Sequence, residues 1–336
     1  MTLGLITLPP GNGPIFIAPG EENHCKLLLV APSEIHSLLK FPSPDSEALR
    51  DAYTKLSGIP RRCFRALRPD GDEHEMKKIE RAINNIKNLK DFADSTTGPL
   101  PFRNKMSRAL VRMEPTDNTW KDQITDLLST HVAELMYERI SLQNTISIRD
   151  SIDFLLRTPD ARSWGGKMFE LGVHRVFRKG IKFEPRPMDD DAPPLTVEIK
   201  TAERESSGYF HTLSVRARPG PRKVGDKFLN HYLVPLSSTQ ETVDAVYISD
   251  DVTVFFQMTV SPSHNLNLEG ITELTNELPA AAKKRICIVF IVPDHEITVK
   301  NYQRQTIVCP IEVDQDAVET VVGYKQYVYY FPMAKF

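Results

Sequence analysis

Apolar positions in the first half of the chain recur mostly at helical spacing. The segment 70–89 carries isoleucines and a methionine three or four residues apart, with acidic residues in its first turn, which predicts an amphipathic helix. A similar stripe predicts a helix from about Trp120 to Ile140, and Ser151–Leu156 is also predicted to be helical. The segment 91–118 holds prolines and helix-capping residues and is predicted to be a loop.

The pattern changes after about residue 160, where one helix over 163–180 is followed mainly by alternating or continuous apolar segments. The predicted strands are Leu195–Thr201, Thr212–Ala217, Val243–Ile248, Val252–Val260, Ile286–Val292, Thr306–Ile311 and Gln326–Phe331, with a helix at Ile271–Lys284. This order predicts an α/β (α+β) fold, in which a mostly helical amino-terminal domain precedes a mixed sheet flanked by helices. The predicted domains are 1–115, a helical connector at 116–158, and 159–336.

Composition narrows the function classes only slightly. The 336 residues carry a formal net charge of −2, so no overall basic field indicates a nucleic-acid partner. The four cysteines are far apart, which argues against zinc fingers and disulfide scaffolds and favours reduced thiols. The amino terminus has no charged region of the kind that begins a signal peptide, and no apolar run is long enough to span a bilayer. An intracellular protein of the cytoplasm or nucleus, without a membrane partner, is expected.

Polar residues interrupt the predicted hairpin 243–264. Gln257 and Thr259 are two residues apart in a strand and therefore share a face. If the turn at 249–252 holds an even number of residues, Asp244 pairs with Gln257 and joins that face, whereas an odd turn reverses it. Clustered carboxylate and amide oxygens are ligands that Mg²⁺ accepts. The alternative is a solvated outer face of an edge hairpin.

Two further sets of charged residues are candidates. On the helix 163–180, Lys167, Glu170, His174 and Arg178 recur at i+3 and i+4 and form one polar stripe, either a solvated face or the source of another metal-binding carboxylate. The segment 189–200 offers Asp191, Glu198 and Lys200, which superficially fit an Asp…Glu-x-Lys nuclease motif. The alternative for this segment is an acidic loop followed by an exposed strand face.

Four basic clusters, at 61–68, 174–182, 216–223 and 283–285, would suit a phosphate backbone if they surrounded an acidic site. No G-x-x-x-x-G-K-[ST] motif for phosphate binding is present, so no ATP site is expected.

Several stretches of the second half, from about Trp164 onward, resemble the nuclease-like region of fungal Crinkler and retrotransposon-hot-spot-like proteins. They are "GKMFELGVHRVFRKG", "YLVPLSSTQETVDAV", "FFQMTVSPSHNLNLEGITEL" and "ICIVFIVPD". The resemblance implies a PD-(D/E)XK, restriction-endonuclease-like fold. The segment "KLSGIPRRCF" is similar to a turn near the end of the P-loop ATPase region of those proteins, which implies that residues 1–115 are a truncated remnant of it.

Matched residue by residue, the resemblance places Glu170 at the helix acid, Asp244 at the strand acid, Gln257 at the Glu of the Glu-x-Lys triplet and Thr259 at its Lys. Glu170, Asp244 and Gln257 would then hold Mg²⁺ or Mn²⁺, and Thr259 would orient a water. Thr259 lacks the positive charge of the lysine, for which His264 or a lysine from elsewhere would have to substitute. Two functions follow as expectations: a metal-dependent nuclease acting on DNA, of weakened activity, or a degenerate nuclease fold that binds nucleic acid or a protein partner as a Crinkler-type effector.

Overall fold

The structure is a computed structural model. It describes residues 4–6, 15–19, 25–29, 48, 51–52, 55–56, 60–86, 92–93, 107–115, 123–142, 148–200, 207–210, 230–235, 243–283, 285–294, 302–308 and 320–336. The chain divides into two compact units, Met1–Thr145 and Ile146–Phe336. The division falls inside the segment 116–158 that was predicted as a connector.

The amino-terminal unit combines helices with antiparallel strands. Its strands are β1 (Gly4–Ile6), β2 (Ile15–Pro19), β3 (Cys25–Leu29), β4 (Val111–Pro115) and β5 (Gln123–Leu127), and its helices are α1 (Pro60–Ala66), α2 (Gly71–Asn84), α3 (Ser107–Leu110) and α4 (Thr130–Leu142). Strands β1, β2 and β3 form one antiparallel sheet, and β4 pairs with β5. The helix predicted over 70–89 is confirmed by α2.

Two predictions for this unit are wrong in part. The helix expected from Trp120 begins only at Thr130, because residues 123–127 form β5. The segment 91–118, expected to be a loop, contains α3 and β4. Both differences have one cause, since β4 and β5 satisfy each other's backbone hydrogen bonds, from Val111 with Leu127 to Pro115 with Gln123. A pairing of this kind outweighs the weak local preference of a five-residue segment.

The carboxy-terminal unit is built on a mixed sheet. Its helices are α5 (Ile148–Arg157), α6 (Arg162–Arg178) and α7 (Leu268–Glu277). Its strands are β6 (Ile181–Phe183), β7 (Arg186–Pro187), β8 (Val197–Ile199), β9 (Ser207–Phe210), β10 (His231–Pro235), β11 (Ala245–Ile248), β12 (Thr253–Met258), β13 (Leu266–Asn267), β14 (Ile286–Pro293), β15 (Ile307–Val308) and β16 (Lys325–Phe331).

Seven of these strands form one sheet in the order β7-β16-β14-β12-β11-β10-β9. The central strands β12, β14 and β16 are parallel, whereas β10, β11 and β12 are successively antiparallel. All eight residues of β14 are buried, as the continuous apolar run predicted for a strand covered on both faces. The remaining described strands of this unit form two pairs: β13 pairs with β15 in parallel, and β6 pairs with β8 in the antiparallel direction.

Helices cover both faces of the sheet. On one face, Leu268, Ile271 and Leu274 of α7 pack in a cluster with Phe255 and Phe290. On the other face, the Phe177 ring of α6 lies 5.3 Å from the ring of Phe256, centroid to centroid. Because Phe255 and Phe256 are adjacent in β12, they point to opposite faces.

The mixed α/β class with a helix-flanked sheet is therefore confirmed, while its restriction-endonuclease-like character stays a prediction. Strands β9 and β10 were not predicted, and the expected strand Thr212–Ala217 lies outside the described residues. Cys63 and Cys287 are buried, and neither forms a disulfide with another described residue. No helix in the described part of the chain combines the length and the apolar character needed to cross a membrane.

Candidate metal centre

The turn between β11 and β12 sets the register of the hairpin. Ile248 pairs with Thr253 and Ala245 pairs with Phe256, so the turn holds four residues and continuation of the ladder would bring Asp244 opposite Gln257. The Ser249 hydroxyl accepts a hydrogen bond from the Val252 amide at 3.0 Å and stabilises the turn. The register that the sequence predicted for an even turn is present.

Asp244 itself bends away from the regular ladder. Its amide donates to the carbonyl of Phe256 at 2.8 Å, one residue short of Gln257, and the chain bends at this point. Its Oδ2 accepts the backbone amide of Met258 at 2.5 Å and the Nε2 of Gln257 at 2.9 Å. Asp244 and Gln257 are thus brought into direct contact at the carboxyl end of β12.

The other end of the Gln257 amide has no partner. Gln257 is only 4% exposed, and its Oε1 is buried without a hydrogen-bond donor among the described residues. An unsatisfied buried carbonyl oxygen costs about 1–3 kcal/mol. A donor or a cation that reached this oxygen would remove the cost.

Helix α6 approaches the same end of β12. Arg162 donates to the carbonyl of Val260 at 3.2 Å, and a Cβ built on Gly166 would lie 3.3 Å from the Val260 side chain. Glu170 lies one helical turn after Gly166 and on the same side of α6. The first turns of α6 therefore place Glu170 close to the residues that follow β12.

The three predicted metal ligands do not all touch one another. By alternation Gln257 shares the face of Phe255, whereas α6 packs on the face of Phe256, so Glu170 and Gln257 approach from different faces. Asp244 interacts with both: it is hydrogen-bonded to Gln257, and the charge of Glu170 raises its pKa. No hydrogen bond in the described part of the structure joins Glu170 directly to Gln257.

A buried histidine holds Glu170. His174 is 5% exposed, and its Nε2 lies 3.6 Å from Oε1 of Glu170. Its Nδ1 lies 2.7 Å from the hydroxyl of Tyr232, a residue of β10 that is 2% exposed. The polar stripe of α6 is consequently packed against the sheet at His174, and the alternative of a fully solvated face is wrong for this residue.

The two carboxyl groups have pKa values displaced in opposite directions. Burial opposes ionisation of Glu170, but the hydrogen bond and charge of His174, together with the charge of Lys167, hold its pKa below the ordinary value. Burial raises the pKa of Asp244 well above its ordinary value, and the negative charge of Glu170 raises it further. Because 31% of the Glu170 side chain is exposed, solvent and solutes reach this site even though the surrounding protein desolvates it.

In the absence of a cation, Glu170 therefore ionises at lower pH than Asp244. Two carboxyl groups that are close together resist double ionisation for electrostatic reasons. A bound divalent cation would relieve the repulsion and allow both groups to ionise, which couples cation binding to release of a proton.

Thr259 and His264 are placed less favourably for catalysis. The Thr259 side chain is buried, and its Oγ1 accepts the amide of Ser261 at 3.0 Å, so it stabilises the chain as it leaves β12. The backbone of His264 donates to the Gln305 side chain at 2.6 Å. No described contact connects His264 to Asp244 or Gln257.

The alternative triplet is dispersed over exposed positions. Asp191 is bound by Lys325 at 2.6 Å and its side chain is 75% exposed, while Glu198 lies 4.0 Å from Lys182 with its side chain 57% exposed. Glu198 is in β8 and Lys200 directly follows this strand, and both residues are exposed. Each carboxylate has a different lysine partner, which agrees with the alternative of an acidic loop followed by an exposed strand face.

Tyr232 and Lys167 are the residues whose roles the sequence did not predict. The strand His231–Pro235 was not recognised, although Tyr-Leu-Val before a proline is typical of a strand end. Lys167 was placed on the polar stripe, but its influence on both carboxyl groups depends on the packing of α6. Of the four basic clusters, 216–223 lies outside the described residues, so the expectation that all four surround one acidic site stays a prediction.

The candidate ligands at this site are oxygen atoms, which hard cations such as Mg²⁺ prefer. Among the described residues, no group of three or more His, Cys, Asp and Glu is arranged to hold a metal ion. The candidate centre offers two carboxylates, Glu170 and Asp244, and the unpartnered amide oxygen of Gln257. Mg²⁺ commonly takes one or two protein carboxylates and keeps several waters, so Glu170 and Asp244 are ligands of the kind that Mg²⁺ or Mn²⁺ accepts.

No family model, curated protein or solved structure matches the chain. The resemblance to Crinkler and retrotransposon-hot-spot-like proteins therefore stays a prediction.

Proposed function

We propose that the protein is a metal-dependent nuclease that hydrolyses phosphodiester bonds in DNA. The observation that carries this proposal is the position of two carboxyl groups: Gln257 and Met258 hold Asp244 at the carboxyl end of β12, and Glu170 lies on α6, which contacts Val260 just after that strand end. Ligand sites of α/β sheets generally lie at the carboxyl ends of parallel strands. Two neighbouring carboxyl groups at such a position are suited to a divalent cation.

Each residue has a distinct part in this proposal. Glu170 and Asp244 would hold Mg²⁺ or Mn²⁺, whereas Gln257, which lies on the other face of the sheet, would orient Asp244 instead of being the third ligand that the sequence predicted. When bound, the metal supplies Lewis-acid stabilisation of negative charge on phosphate oxygens and lowers the pKa of a bound water. The Nε2 of Gln257 and the amide of Met258 fix the Asp244 carboxylate. His174 fixes Glu170, and Lys167 provides positive charge beside both acids.

The test is cleavage of duplex and single-stranded DNA with Mg²⁺ or Mn²⁺, compared between wild type and Asp244→Asn. The amide oxygen of the new side chain still accepts the Gln257 and Met258 donors, so the fold is expected to remain. Loss of one charged ligand should lower the cleavage rate by about 100-fold or more. Glu198→Gln is the matched control, since it removes an exposed carboxylate of the alternative triplet. Undiminished cleavage by Asp244→Asn would refute the assignment, and loss in the control variant would move the site to Asp191, Glu198 and Lys200.

A second function is favoured by the neutral residues Gln257 and Thr259, which stand where the resemblance implies Glu and Lys. Because the Thr259 hydroxyl already accepts the Ser261 amide, it contributes no charge to the site. A nuclease fold that binds DNA or a protein without cleavage is the corresponding proposal. Salt-dependent retention of DNA, with no cleavage under Mg²⁺ or Mn²⁺, would support it. Absence of DNA binding at low salt would leave a protein-interaction role.

A further inference from the structure

A cavity of about 410 Å³ in the amino-terminal unit is lined mainly by basic side chains. The lining residues are Arg65, Arg68, Pro69, Gly71, His74 and Lys78. None of the lining residues is acidic, although this part of the chain is rich in Asp and Glu. Its size is within the range of sites for small molecules, about 300–1,000 Å³. It belongs to a different unit from the candidate metal centre and is not part of it.

The close approach of α1 to α2 builds the cavity. The amide of Gly71 donates to the carbonyl of Arg68 at 2.8 Å. A Cβ on Gly71 would lie 1.8 Å from the carbonyl oxygen of Arg65, so only glycine permits this approach of the two helices. The contact brings Arg65 and Arg68 beside His74 and Lys78, which are one turn apart on α2.

Three acidic residues of α2, Asp72, Glu73 and Glu75, are paired with basic side chains. Asp72 is paired with Lys55 at 3.0 Å, and Glu73 is paired with Lys77. The buried Glu75 binds Arg62 at 3.0 Å and Lys78 at 2.6 Å, so Glu75 offsets part of the positive charge of Lys78. Within the described residues neither Arg65 nor Arg68 has a carboxylate partner, and both are exposed. The cavity therefore concentrates positive charge in a concave surface, which attracts anions.

We propose that this cavity binds clustered phosphate groups. Arginine guanidinium groups match phosphate oxygens with two parallel hydrogen bonds, and two arginines on one side of a cavity can hold adjacent phosphates. Lys78 and His74 supply further donors on the opposite helix. A single carboxylate or chloride uses few of these donors, whereas an oligophosphate uses them all. The phosphates can belong to a free oligophosphate or to the backbone of a nucleic acid.

Tripolyphosphate is the probe, and its dissociation constant is measured by calorimetry on the full chain at low ionic strength with EDTA present. EDTA makes this binding independent of the proposed metal centre, so failure here and failure of the nuclease proposal are distinguishable. The variant is Arg65→Ala/Arg68→Ala. Its dissociation constant should rise by about tenfold or more, because two charge-assisted contacts are lost. Arg81→Ala removes an exposed arginine of α2 outside the cavity and should leave the constant unchanged.

A conservative variant separates shape from charge. Arg65→Lys/Arg68→Lys keeps both charges but loses the paired hydrogen bonds, so its affinity should fall between wild type and the alanine variant. Competition with a DNA oligonucleotide identifies the source: displacement of tripolyphosphate indicates a nucleic-acid backbone, and binding that DNA does not disturb indicates a free oligophosphate. Absence of tripolyphosphate binding by wild type, or an equal constant in the folded alanine variant, would overturn the proposal.

Discussion

The substitution Gln257→Glu tests the charge balance of the candidate metal centre. The new carboxylate replaces the Nε2 that donates to Asp244 at 2.9 Å, and it places a second acid in contact with Asp244 in a position that is 4% exposed. Loss of a hydrogen bond to a charged group costs about 1.5–3 kcal/mol, and an unpaired buried charge costs about 3–5 kcal/mol. Sharing of the Asp244 proton with the new carboxylate offsets part of this cost.

We therefore expect the metal-free variant to be about 3 kcal/mol less stable than wild type at pH 8. For a unit of this size such a loss lowers the melting temperature by roughly 6–12 °C. The deficit should shrink at pH 5, where the carboxyl groups hold more protons. With Mn²⁺ at 100 times its dissociation constant, about 2.7 kcal/mol should return, because the cation binds the folded state and offsets the charge of the added carboxylate.

The assay is thermal unfolding of the full chain followed by tryptophan fluorescence in a Trp120→Phe background, where Trp164 of α6 reports the carboxy-terminal unit. Trp164 is fully buried, so its emission changes on unfolding of that unit. Gln257→Met is the control, since it removes both the donor and the unpartnered oxygen without adding charge, so its gain of stability from Mn²⁺ should not exceed that of wild type. If Gln257→Glu melts with wild type at pH 8 in EDTA, or gains no more from Mn²⁺ than wild type does, the description of this site as a cation-deficient acid cluster is wrong.

Three other predictions concern the surroundings of the site. Tyr232→Phe should lower the free energy of unfolding in urea by about 1–3 kcal/mol, because it leaves Nδ1 of His174 unpartnered. The control Tyr302→Phe removes a buried hydroxyl with no described partner and should leave the free energy of unfolding unchanged. Equal losses in the two variants would contradict this account. Burial and the charge of Glu170 raise the pKa of Asp244 in the folded protein, so its contribution to metal-free stability should be fully present below the unfolded value of about 3.9 and be lost as the pH rises through the folded value. Asp244→Asn should remove this part of the pH dependence in urea titrations. Gly165→Ala should lower stability by about 1–3 kcal/mol, because its Cβ would lie 3.0 Å from the backbone nitrogen of Leu156. The Cβ of Gly166→Ala would lie 3.3 Å from the Val260 side chain, so this variant should be neutral or gain up to about 1 kcal/mol from helix propensity. Calorimetry that ranks the two variants the other way would refute the packing of α5 on α6.

Long or strongly patterned segments were predictable from the sequence. The eight apolar residues of β14, the helix α6 and its end at Gly180 all follow from local rules, and Gly180 has the left-handed φ of 90° expected of a residue that ends a helix. The hairpin register follows from alternation and from a four-residue turn. These features depend on residues close together in sequence, which is why single-sequence reasoning recovers them.

Features set by distant partners were not predictable. The stripe that includes Ile124 and Leu127 has helical spacing, but these residues form a strand because β4 pairs with them. The bend at Asp244 cannot be read from alternation, since it depends on the Phe256 carbonyl and the Met258 amide across the hairpin. His174 resembles a surface residue of an amphipathic helix, and only the fold brings the Tyr232 hydroxyl to it.

The four-residue turn at 249–252 also limits how this protein can change without loss of its site. Deletion or duplication of a single codon there would leave two strands able to pair, yet it would reverse which side chains of one strand face α7 and would carry Asp244 away from Met258. Gain or loss of two residues would preserve both arrangements. The candidate metal centre would thus tolerate many substitutions in the turn, whereas a one-codon change in the length of the turn would abolish it.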